Sequence, residues 1–111
     1  MKIEPTVNES NRQATIKIAG ELDVHQSKML KAAAFDVFRD GPWTYIFDMA
    51  QVTYLDSSGL GMLVFLQKEI VKRGGELQII NLKDTVYKVF ELTKLTNFFK
   101  LSVAATPGHA P

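Results

Sequence analysis

An acid, two hydroxyls and a hydrogen side chain stand in a row at Asp56-Ser57-Ser58-Gly59, the most chemically loaded stretch of this chain. The row lies between an extended apolar run, Val52 to Leu55, and a long helical pattern that starts at Leu60-Gly61. A serine hydroxyl at such a place has three uses. It can attack a substrate once a base takes its proton, it can carry a modification, or it can cap the helix by accepting from a free N–H. Capping needs one acceptor, so two hydroxyls behind an aspartate exceed it.

Nucleophilic catalysis is poorly provided for. No Gly-x-Ser-x-Gly elbow is present, because the residue two before Ser57 is Leu55 and two before Ser58 is Asp56. The histidines are His25 and His109, and His25, near the start of a predicted helix, reads better as a surface residue than as a base. No glycine-rich phosphate loop or metal-ligand cluster occurs. With no cysteine there is no disulfide, Cys-based zinc site or thiol nucleophile. The expectation is a protein that is not an enzyme and holds no metal or other cofactor.

The bulk properties narrow the partners. Thirteen Lys and Arg against twelve Asp and Glu leave a net charge of +1, with signs alternating along the chain. A nucleic-acid binder would carry a basic stripe. The longest apolar run, Leu60 to Leu66, is interrupted by Gly61 and is far short of a membrane span. The start, Met1-Lys2-Ile3-Glu4-Pro5, lacks the apolar core of a signal peptide. At 111 residues, 46% hydrophobic and 23% charged, one globular domain in the cytoplasm is expected.

Strands and helices must alternate to position the serines. Lys2 to Val7 and Ala14 to Gly20 read as a hairpin, with Pro5 tolerable at an edge. Asp23 is placed to cap a helix over Val24 to Arg39, whose Leu30, Ala33, Ala34, Val37 and Phe38 share a face and which Gly41-Pro42 stops. Trp43 to Met49 reads as a buried strand that continues through Gln51 to Leu55. A second helix runs from Ser57 or Ser58 to about Arg73, and Gly74-Gly75 ends it. Glu76 to Ile80 gives another strand. Lys83 or Asp84 opens a third helix, with Val86, Val89, Phe90 and Leu82 inward, and a short strand covers Lys100 to Val103. This order predicts an α/β fold: a mostly parallel sheet of four or five strands, an antiparallel N-terminal edge strand, and helices mainly on one face. The domain is expected over 1–103, and 104–111 as a flexible tail.

At 100° per residue, Leu60, Leu63, Val64, Gln67, Ile70 and Val71 of the second helix fall in one arc and are expected to face the sheet. Met62 and Phe65 fall opposite, as apolar residues on the solvent side or covered by a neighbouring helix.

Together, Gly20-Glu21-Leu22-Asp23 and Val52-Thr53-Tyr54-Leu55-Asp56-Ser57-Ser58-Gly59-Leu60-Gly61 resemble the anti-sigma factor antagonists, small bacterial proteins built on the STAS domain. Gly74-Gly75-Glu76-Leu77 and the Val89 to Phe98 segment add weaker matches, and the resemblance spans about Lys2 to Val103. It implies a phosphorylation-controlled partner switch for transcription. Unphosphorylated, the protein would bind a serine protein kinase that doubles as an anti-sigma factor. Phosphorylation at Ser57 would inactivate it, and a PP2C-type serine phosphatase would reverse this. Asp23, Asp56, Ser58, Gly59, Gly61, Met62 and Phe65 would form the partner-binding surface. The alternative within the same fold is an accessory subunit of a transporter or another signalling complex.

Overall fold

A computed structural model describes residues 2–104 of the chain. Eight elements follow one another: β1 (Lys2–Asn8), β2 (Gln13–Leu22), α1 (Val24–Val37), β3 (Thr44–Leu55), α2 (Ser57–Lys72), β4 (Glu76–Leu82), α3 (Asp84–Leu92) and β5 (Lys100–Val103). They form one sheet in the order β1-β2-β3-β4-β5. The β1–β2 hairpin is antiparallel and every other pairing is parallel, as strands joined through helices require.

Alternation along the strands sets the two faces. Ala14, Ile16 and Ile18 of β2, Tyr45, Phe47 and Met49 of β3, and Leu77 and Ile79 of β4 are buried on the face that carries the helices. Their neighbours Lys17, Asp48 and Gln78 point the other way, toward a face with no helix over it. Helices on one face only follow from this period-2 pattern.

Four boundaries or faces differ from the expectations. Helix α1 stops at Val37 rather than Arg39, because Phe38 turns extended and buries its ring. The Tyr45 hydroxyl then holds the departing chain, accepting from Arg39 N–H at 2.8 Å and bonding its carbonyl at 3.2 Å. Gly41 therefore does not terminate α1. It adopts φ +99° further on and donates its N–H to the Arg73 carbonyl at 2.9 Å, tying this loop to the end of α2. Strand β4 runs on to Leu82 rather than ending at Ile80, and Leu82 is buried, as expected, at its last position.

Helix α2 is rotated from the expected arc. Gly59, Leu60, Leu63, Leu66 and Ile70 are buried, while Val71 is 59% exposed and Val64 and Gln67 are only half-buried. The helix packs against α1 as well as the sheet, so its apolar seam faces the angle between them and takes in Leu66. Gln67 has a job of its own: its amide donates to the Phe98 carbonyl at 2.9 Å, fastening the segment between α3 and β5. Ala104 N–H donates to the Leu82 carbonyl at 2.9 Å; the rest of the expected tail lies outside the described residues.

Candidate functional site

Leu22 and Leu55 are register partners at the ends of the parallel strands β2 and β3. Each is buried, each is followed by an aspartate, and each aspartate starts a helix. Asp23 Oδ1 accepts from Gln26 N–H at 3.0 Å at the start of α1. Asp56 Oδ1 accepts from Gly59 N–H at 2.9 Å at the start of α2. Parallel pairing puts both caps at one end of the sheet. Asp23 and the serines are thereby neighbours in space, although 34 positions separate Asp23 from Ser57.

Two glycines make the approach possible. Gly20 takes φ +105° beside the irregularity in the β2–β3 ladder, where Gly20 pairs with Val52 and Glu21 with Tyr54. Gly59 is buried against the end of β2: a Cβ built on it would collide with the Leu22 carbonyl and lie 2.8 Å from Leu55 Cδ1. Asp56 N–H also reaches the Leu22 carbonyl, at 3.4 Å. Gly61, one turn into α2, is different, because a Cβ there would meet nothing within 4 Å.

Because Asp56 supplies the cap, neither serine is needed for it. Ser57 is exposed and Ser58 half-buried at the first positions of α2, where N–H groups still lack helical partners. Around them the charge is acidic, from Glu21, Asp23 and Asp56, and a shallow depression of about 360 Å³ lies between Gly20, Glu21, Asp23, Gln26 and Thr53. Exposed His25 occupies the first turn of α1. Among the described residues no group of three or more His, Asp or Glu could hold a metal ion. No helix among them is long and apolar enough to cross a membrane.

Further along α2 the two apolar candidates divide. Met62 is half-buried and packs against the core, whereas Phe65 remains 38% exposed. Phe65 has a partner that the helix plot could not reveal: Phe35 of α1 stacks on it at 6.2 Å, nearly parallel at 10°. Lys31 Nζ stands 5.1 Å from the Phe65 ring centre. A long basic side chain four positions before a phenylalanine in α1 was the available signal, but the face it shared with α2 was not legible.

The STAS domain model matches residues 4–108 of the chain. The chain belongs to the STAS domain family. Its sequence is 30% identical over 108 residues to the anti-sigma-B factor antagonist of Bacillus subtilis, covering 97% of this chain and 98% of that one. Among solved structures, a protein from Thermotoga maritima superposes with a TM-score of 0.77 at 20% identity, over 96% of this chain and 88% of that one. The Bacillus cell fate determinant SpoIIAA in its phosphorylated form gives a TM-score of 0.64 at 23% identity, over 96% and 94% of the two chains. A sulfate transporter family protein from Wolinella succinogenes gives 0.72 at 21% identity, over 82% and 76%. At these identities the three structures share the STAS fold, and the fold alone does not separate antagonists from transporter domains.

Proposed function

We propose that this STAS domain is a bacterial, cytoplasmic anti-sigma factor antagonist, a protein-binding switch rather than an enzyme. Unphosphorylated, it binds a serine protein kinase that is also an anti-sigma factor. Phosphorylation of Ser57 releases that partner, and a PP2C-type phosphatase restores the binding form. The observation that carries the reading is the division of labour in the turn: Asp56 caps α2, which leaves the exposed Ser57 hydroxyl without a structural duty. The 30% identity along nearly the whole length of an anti-sigma-B factor antagonist supports the choice of partner class.

The switch needs no refolding. A phosphate adds about −1.5 to −2 charges at pH 7, and at a helix N-terminus the free N–H groups and the macrodipole favour an anion by roughly 0.3–1 kcal/mol. The cost falls on the complex. A partner seated over Ser57, Ser58, Gly61 and Phe65, with Asp23 and Asp56 at its edge, would have to bury a dianion among carboxylates. Leaving a buried charge unpaired costs about 3–5 kcal/mol, and each ~1.4 kcal/mol is tenfold in affinity. Binding therefore falls by about two to four orders of magnitude.

The test is intact mass spectrometry after incubation with the cognate kinase and ATP. A gain of one phosphate that Ser57→Ala abolishes is expected. A gain that survives Ser57→Ala and disappears with Ser58→Ala moves the acceptor by one residue, and no gain at all, or stable co-purification with a transporter, overturns the reading.

A further inference from the structure

Helix α2 presents one stripe at i, i+4 spacing, Ser57, Gly61 and Phe65, with Lys68 three positions on. Helix α1 presents another, Lys28, Lys31 and Phe35. The stripes meet where Phe35 and Phe65 stack, each 38% exposed. Lys31 Nζ lies over both rings, 5.9 Å from the centre of Phe35 and 5.1 Å from that of Phe65.

Charge on these helices is one-sided. Within the helices, from Val24 to Val37 and from Ser57 to Lys72, there are four lysines against Asp36 and Glu69, in a chain whose net charge is only +1. Glu69 is already shared between Lys72 and Arg73 at 3.0 Å. Lys28, Lys31 and Lys68 have no carboxylate within 4.0 Å among the described residues.

We infer that the Phe35–Phe65 pair is a docking seat for an acidic, apolar segment of the partner protein. An apolar side chain of that segment covers the two rings, and its carboxylates pair with Lys31, Lys28 and Lys68. The argument is complementarity. An ammonium over exposed rings keeps the patch hydrated and deters a second apolar surface of like charge, while a carboxylate gains both the ion pair and the removal of the rings from water. Gly61 lets a partner's backbone come down on α2 between this seat and Ser57, since no side chain and no neighbouring atom fills that space.

The inference rests on the partner-facing reading of α2 for its occupant. The probe needs no phosphorylation, however, so failure of phosphoryl transfer to Ser57 and failure of the seat are read separately. The test is an NMR titration of the full chain with a short amphipathic peptide bearing Glu and Leu on one face, and with its counterpart bearing Lys for Glu. The expected result is that resonances of Lys31, Phe35 and Phe65 shift with the acidic peptide, which binds about tenfold tighter than the basic one. Lys31→Glu should erase that preference while the rest of the spectrum stays in place. Equal binding of the two peptides, no binding of either, or shifts confined to another surface would overturn the seat.

Discussion

The Leu22 carbonyl of β2 occupies the space that a Cβ on Gly59 of α2 would need. This contact brings the first turn of α2 down onto the end of β2, and with it Ser57 to Asp23. Gly59→Ala should therefore cost about 1–3 kcal/mol by overpacking against backbone that cannot yield. Gly61→Ala, in open space on the same helix, should stabilise by about 0.5–1 kcal/mol. Urea denaturation of the two variants measures the difference, and equal stabilities would mean that the contact is not close.

The caps can be separated from the signal. Asp56→Ala should lose about 1 kcal/mol of stability, and Asp56→Asn much less, because an amide oxygen still accepts from Gly59 N–H. The same ordering is expected at Asp23 with Gln26. Thermal melts decide it: if Ala and Asn cost the same, the side-chain bond contributes nothing.

Ser57→Asp should leave stability within about 0.5 kcal/mol of the parent, since a carboxylate in the first turn suits the helix dipole. Under the proposed switch, binding to the kinase should fall steeply in the same variant. Calorimetry of both quantities on one sample separates a surface switch from an unfolding one; a large drop in melting temperature would favour unfolding.

Acid should weaken the end of α2. The Glu69 carboxyl is held below its ordinary 4.5 by hydrogen bonds from Lys72 and then Arg73. Glu76 is lowered likewise by Lys100 and then Gln78. A folded value below the unfolded one stabilises the protein above the unfolded pKa, and that contribution is lost as pH falls through the folded one. Melting temperatures of the parent and Glu69→Gln should therefore converge as pH drops through the carboxylate range. A constant gap at every pH would contradict the assignment.

Lys94 adopts φ +60° after α3, its N–H donating to the Glu91 carbonyl at 3.0 Å. The left-handed region costs a non-glycine residue roughly 1–2 kcal/mol, partly offset by the entropy that glycine loses on folding. Lys94→Gly should thus gain up to about 1 kcal/mol, visible as a higher urea midpoint. A loss would show that the Lys94 side chain contributes more than its backbone strain removes.

Much of this was legible in local chemistry. Alternation in Ala14 to Ile18 and in Glu76 to Ile80, an aspartate before each of α1 and α2, and glycines after α2 report short-range preferences, and short-range preferences are written in consecutive residues. The Asp56-Ser57-Ser58-Gly59 row and its place at the start of a helix belong to the same class. What the chain alone could not settle depends on pieces far apart in sequence. The end of α1 is decided by the Tyr45 hydroxyl, and the buried seam of α2 by the angle between α1 and the sheet rather than by helical period alone. The exposure of Phe65 is decided by Phe35. Each of these is a contact between elements, whose geometry follows from sheet register and helix packing. Sequence by itself determined the turn that bears Ser57, its cap and the family to which it belongs. Tertiary structure decided what surrounds it: the Leu22 carbonyl beneath Gly59, Asp23 at the same end of the sheet, and a stacked aromatic pair under Lys31 two turns away.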